Sequence, residues 1–160
     1  MANDEDVLIE RFVATFDPPA ERIDNPNPKD LEAIYARLPA RFPRLYEKMV
    51  LRWRWGEVEF RHFALLANPS EAGFAGLLKS ISYDRYLAEA LFPAGFIPFA
   101  KATDAGGHDP ICFNTKVRKG RRDCQIVRIH HEEILCNNRI KVQAVIASSF
   151  RELIKRALAP

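Results

Sequence analysis

Apolar side chains recur along the chain at two spacings, and the spacing changes near its middle. Between residues 6 and 16, Val7, Leu8, Phe12, Val13 and Phe16 share one helical face, because residues three and four apart are neighbours on a helix. Leu31, Ile34, Tyr35 and Leu38 repeat that spacing behind Asn27, Pro28 and Asp30, which read as an N-cap, a first-turn proline and an acid at the positive helix end. A further helix is predicted from Pro43, with Leu45, Tyr46, Met49, Val50 and Trp53 on its apolar stripe. Arg41, Arg44, Lys48 and Arg52 fall on its other side. After Gly56 the period drops to two: Val58, Phe60 and His62 alternate with Glu57, Glu59 and Arg61, as in a half-buried strand. Helical spacing returns over 71–91 in two pieces, one with Phe74, Leu77, Leu78 and Ile81, the other with Tyr83, Tyr86, Leu87 and Leu91, until Pro93 and Gly95 stop it.

The second half reads as a meander of short strands over 96–99, 111–114, 125–129 and 139–147. Turns are expected at 104–107 and at 115–123, the latter containing Gly120 and joining antiparallel neighbours. A helix closes the chain: Ser149 and Glu152 have capping-box spacing, and Phe150, Leu153, Ile154, Ala157 and Leu158 form its stripe. Pro18, Pro19, Pro26 and Pro28 exclude a continuous helix or inner strand over 17–28. The chain therefore divides into an N-terminal helical segment with a proline-rich connector, 1–27, and a single domain, 28–160. The expected fold class is α+β, with N-terminal helices and a C-terminal helix packed on a twisted antiparallel sheet formed mainly by the second half.

Composition adds limits. The chain has 160 residues, 48% hydrophobic and 28% charged, a globular balance with enough length for one core. No apolar run is long enough to span a bilayer, and the first ten residues carry Asp4, Glu5, Asp6 and Glu10 with no cation, unlike a secretory signal. Cys112, Cys124 and Cys136 are odd in number and do not form a secreted disulfide framework, so a cytoplasmic location with reduced thiols is expected. A net charge of +3 decides little by itself.

Candidate chemistry centres on His108, Asp109, Cys112, Cys124, His130, His131 and Cys136, enough nitrogen and sulfur for a zinc ion. The cysteines are too widely spaced for the close ligand pairs of zinc sites, and neighbouring histidines on a strand would point to opposite faces. Cys112 lies between Ile111 and Phe113, an apolar setting that leaves a thiol inert unless His108, His130 or His131 activates it. Glu57 with Glu59 and Glu132 with Glu133 are paired acids of the kind that are usually solvated, and Gly106-Gly107 lacks the lysine and following helix of a phosphate loop. No cofactor, metal or catalytic residue is implied. Lys116, Arg118, Lys119, Arg121 and Arg122 crowd one connection, offset by Asp123, and the 41–52 stripe adds a second basic face. Such faces suit phosphates or an acidic protein, but no aromatic side chain is interleaved over 118–122 to stack bases. Trp53 and Trp55 flank Arg54; core packing accounts for either indole, and an exposed Trp55 would make an interface anchor.

Several stretches in this order resemble the SUKH superfamily: 45–55 (LYEKMVLRWRW), 96–100 with the glycine turn and Asp109-Pro110-Ile111-Cys112-Phe113, then Ile126-Val127-Arg128-Ile129 with His131-Glu132-Glu133-Ile134, and Ser148-Ser149-Phe150-Arg151-Glu152-Leu153. Together they cover roughly residues 28–158, and their order and spacing carry the likeness. Two positions depart from it, since family-like sequences often have aspartate where Asn114 and His130 stand here. The resemblance implies a helix-flanked twisted sheet serving as a protein-binding scaffold. Bacterial members are mostly immunity proteins of toxin systems, and fungal relatives include a regulator of cell-wall assembly. It implies no shared reaction and no particular contact residues. The expected function is thus a non-catalytic protein-binding module, an immunity-type protein that neutralises a toxin domain with an acidic surface. Arg118, Lys119, Arg121, Arg122 and Trp55 are the candidate contacts. The alternatives are a nucleic-acid-binding protein using the basic face and a small Cys/His-dependent enzyme. The partner's identity and the oligomeric state are not legible in the sequence.

Overall fold

A computed structural model describes residues 2–69, 74–104, 107–119 and 123–160, Lys119 in its backbone only. Helix α1 (Asp4–Val13) starts at Asn3, whose side chain accepts from Glu5 N, and buries Leu8, Ile9, Phe12 and Val13. Val7 stays partly exposed, outside that stripe. The proline-rich connector contains only the two-residue strand β1 (Glu21–Arg22). Asn27 then caps a 3-10 turn (Pro28–Leu31), accepting from Lys29 N, and the turn leads into α2 (Glu32–Tyr35).

Helix α3 (Arg44–Arg52) ends one residue before Trp53, which the apolar stripe had assigned to it. Trp53 instead enters β2 (Trp53–Arg54), pairing antiparallel with β1. The alternation after Gly56 is also interrupted. Strand β3 (Val58–Glu59) turns back through a backbone bond from Phe60 N to Phe63 O, so Arg61 and His62 form a hairpin tip before β4 (Phe63–Leu65). No glycine, proline or asparagine marks that turn; stacking of Phe60 on Phe63, with ring centroids 4.9 Å apart, accompanies it. The helical region after it is α4 (Ala75–Ile81) and α5 (Arg85–Leu91), the second capped by Asp84.

Strands β5 (Phe96–Ala102), β6 (Pro110–Lys119), β7 (Asp123–Ile129) and β8 (Val142–Ala147) complete the sheet, in the order β3-β4-β5-β6-β7-β8, antiparallel throughout. Helix α6 (His131–Asn137), unexpected from spacing, lies between β7 and β8. Helix α7 (Phe150–Leu158) closes the chain, with Ser149 Oγ accepting from Glu152 N at 3.1 Å. The Glu152 carboxylate takes the N–H and hydroxyl of Ser148, and these donors lower its pKa to about 2.

The fold is therefore α+β, as expected, with helices on both sides of the sheet. Strand alternation sends Ile111, Phe113, Cys124 and Ile126 to one face, where they join α1, α3, α4 and α7 in the main core. Cys112, Val127 and Ile129 point the other way, against Leu87 and Leu91 of α5 and Ile134 of α6. Tyr46 is enclosed by the rings of Phe42, Phe99, Phe113 and Phe150. Because α1 contributes Leu8, Ile9, Phe12 and Val13 to the main core, the N-terminal segment packs back on the body.

Candidate interaction surface

The connection predicted over 115–123 is largely strand. After Asn114 the pairing with β7 skips: Asn114 opposes Gln125, and the next pair is Arg118 with Cys124, so Thr115, Lys116 and Val117 form a bulge with no counterparts. Asn114 holds the departure. Its Oδ1 accepts from Lys116 N at 3.3 Å, and its Nδ2 donates to Gln125 Oε1 at 3.2 Å. Gly95 backs the bulge. Its φ of +88° is strained for other residues, a Cβ there would lie 3.0 Å from Lys116 Cε, and its carbonyl accepts from Thr115 N and Oγ1.

Beyond the bulge the chain is exposed at Lys116, Val117 and Arg118. Arg118 donates to the Thr115 carbonyl at 3.1 Å and to the Arg41 carbonyl at 3.3 Å; among the described residues it meets no carboxylate. Its position is fixed while its charge stays unmatched. Val117, half exposed beside it, supplies an apolar contact that the sequence did not single out, because a lone valine in a basic run carries no periodic signal. Arg121, Arg122 and the side chain of Lys119 lie outside the described residues.

The second basic face is different. Arg44 and Lys48 meet Glu5 at 3.4 and 2.8 Å, Arg52 meets Asp6 at 2.8 Å, and Arg41 meets Glu32 and Glu47. Arg151 of α7 also reaches Glu5, at 3.3 Å. The acidic first turn of α1 thus lies along the stripe and neutralises much of it. Glu5 is held below the usual carboxylate range chiefly by its hydrogen bond from Lys48, with Arg44 and Arg151 adding to it against the cost of burial.

Trp55, a candidate contact in the sequence, lies inside the fold. Its side chain is buried, its ring lies edge-on to Phe16, and its Nε1 donates to the Leu66 carbonyl at 2.9 Å, so the polar edge is satisfied internally. Trp53 is half-buried, with the Arg22 guanidinium over its ring.

The thiols do not converge. Cys112 and Cys124 occupy opposite faces of the sheet, and Cys136 is exposed on α6. Burial raises Cys112 well above the usual thiol range. It also pushes Cys124 up to about 12, with Asp123 adding to the effect, so both are protonated at neutral pH. Among the described residues no group of three or more His, Cys, Asp or Glu side chains is placed to hold a metal ion.

The residues that do gather are Asp109, Arg128, His131 and Asp104. Asp109 is nearly inaccessible; one oxygen accepts from Arg128 Nε at 2.8 Å, the other from His131 N at 3.0 Å and lies 2.6 Å from His131 Nδ1. Arg128 completes a fork on Asp104, at 2.5 and 3.0 Å. Burial alone would raise the Asp109 pKa, but the His131 and Arg128 donors outweigh it and hold it low. His130 caps α6 without a side-chain bond. Asp109 supplies that bond from the start of β6, joining α6 to the sheet. The His131 imidazole has an orienting carboxylate in Asp109 and the His108 ring edge-on at 6.1 Å.

Compared with known proteins, the chain matches no family model, and no curated protein matches it.

Proposed function

We propose that this protein is a non-catalytic protein-binding module of the immunity type, which docks on a toxin domain and covers its working face through the β6–β7 hairpin. The observation that carries this reading is the state of Arg118: exposed, anchored through carbonyls, and without a matching acid among the described residues. A cation held in place at little further ordering cost is suited to steering an acidic partner and fixing its register. Val117 beside it adds an apolar contact for residence time. The resemblance noted above supplies the biological setting, and the buried, protonated Cys112 and Cys124 favour binding over thiol chemistry.

The test is to co-produce the chain with the toxin domain encoded beside its own gene and to measure survival and association rate. The intact chain is expected to protect. Reversing charge at Arg118, Lys119, Arg121 and Arg122 should slow association on the order of tenfold or more without unfolding the domain. Unchanged binding by that variant would remove the hairpin from the interface. A salt-sensitive complex with nucleic acid, in place of protein capture, would reassign it to phosphates.

A further inference from the structure

At the opposite end of the sheet from the β6–β7 hairpin, a cavity of about 520 Å³ opens between α7 and the tip of the β3–β4 hairpin. Phe63, Ile111, Ile146 and Leu153 line it with apolar surface, and Arg61, Arg128 and Arg156 are lining residues too, beside His62 and the Asp104 that Arg128 already holds. Its volume falls within the range of small-molecule sites, as does the combination of an apolar lining with a few polar groups.

The three arginines are not equivalent. Arg128 is fully committed, with Nε on Asp109 and its terminal nitrogens on Asp104. Arg156 donates to the Ile146 carbonyl at 2.6 Å and to Glu152 at 2.5 Å. Ile146 is an unpaired, bulged residue of β8, so Arg156 both satisfies its carbonyl and closes one wall. Arg61, at the exposed hairpin tip, has no acid or carbonyl partner among the described residues.

From this difference we infer that the cavity takes an amphiphilic monocarboxylate, its acyl body on Phe63, Ile111, Ile146 and Leu153 and its carboxylate on Arg61. Among the described residues Arg61 is the lining arginine without an acid, and it matches one negative charge. A neutral chain would leave the guanidinium without an anion, a cationic head would be repelled, and a dianion would find only committed arginines for its second charge. The site is separate from the hairpin and does not rest on the docking role proposed above.

Decanoate is the probe, titrated into the purified full chain below its micelle concentration, with decan-1-ol, decylamine and decyl phosphate as comparisons. A single decanoate site is expected, with a raised unfolding midpoint and binding about tenfold or more tighter than that of decan-1-ol. Arg61→Ala should weaken decanoate by a similar factor and leave the ligand-free unfolding midpoint unchanged. Ala157→Phe, which fills the cavity from α7, should abolish binding; if it fails to fold, Arg61→Ala decides the matter alone. The charge-reversed β6–β7 variant should bind decanoate as the parent does, which keeps this test distinct from that of toxin docking. Absence of decanoate binding, equal affinity for decan-1-ol, or full affinity in Arg61→Ala would overturn the assignment.

Discussion

Two basic regions of similar appearance in the sequence meet opposite fates in the fold. The stripe on α3 places Arg44, Lys48 and Arg52 on one side of a helix, and the acids of α1 lie against it: Glu5 and Asp6, from roughly forty residues earlier, receive all three. On the β6–β7 hairpin, Arg118, paired with Cys124 near the end of β6, finds carbonyl oxygens and, among the described residues, no acid. A positive run therefore says little about binding until its partners are known. The matched stripe holds α1 to α3 and α7, and Arg118 meets no acid among the described residues. The same distinction separates Arg61 from Arg128 and Arg156 around the cavity.

The comparison is broken most severely at Asp109, the most enclosed of the matching acids. Asp109→Ala would leave Arg128 half-matched in a site where its side chain is only 13% exposed, and would strip α6 of its non-local cap. A loss of about 3 kcal/mol in urea unfolding is expected, the usual scale for removing one partner of a buried ion pair. A loss below about 1 kcal/mol would mean that water replaces the carboxylate and that the knot is not structural.

Glu5→Lys comes next. Glu5 is 17% exposed and faces Arg44, Lys48 and Arg151, so reversing it sets like charges together on a packed interface and should cost about 2 kcal/mol, between the surface and buried cases. It should also convert the matched stripe into an unmatched one, seen as stronger salt-sensitive retention on a heparin column than the parent shows. Stability loss without new retention would show that α1 matters through its apolar face alone.

Removing the Glu5 charge while keeping its shape sharpens the point. Its pKa is lower folded than unfolded, so its ionised form stabilises the fold above the unfolded carboxylate range, and that contribution is lost as pH falls through the folded pKa. Glu5→Gln should therefore be less stable than the parent by about 1 kcal/mol at pH 7. The difference should close as pH falls through the folded pKa and the parent's carboxyl protonates. Curves that stay parallel throughout the acid range would assign the loss to packing.

What could be read in advance follows the same division between local and distant partners. Asn27 with Pro28, the stripe of α3 and the Ser149 cap were legible because each depends on residues within one or two turns. Helix α6 was missed because it is short and its cap comes from Asp109, 22 residues away. The hairpin at Arg61 and His62 was missed because no turn residue marks it, and the choice between core and anchor for Trp55 stayed open because its partner, the Leu66 carbonyl, lies eleven residues on. The pairing of α1 with α3 was illegible for the same reason: two short charge runs carry no indication that they meet.

Arg118→Ala should have the smallest effect on the fold, and its smallness is informative. The side chain is exposed and donates to two carbonyls that water can reach, so its removal should change unfolding free energy by no more than about 0.5 kcal/mol. At the same time it should remove much of the hairpin's capacity to capture an acidic partner, giving the reverse of the Glu5 variants: little lost in stability, much lost in association. If unfolding shows instead that Arg118→Ala costs as much as Glu5→Lys, the guanidinium bridge to the Arg41 carbonyl is holding the hairpin to the body. The two basic regions would then serve one structural purpose, and the unmatched charge would no longer point to a partner.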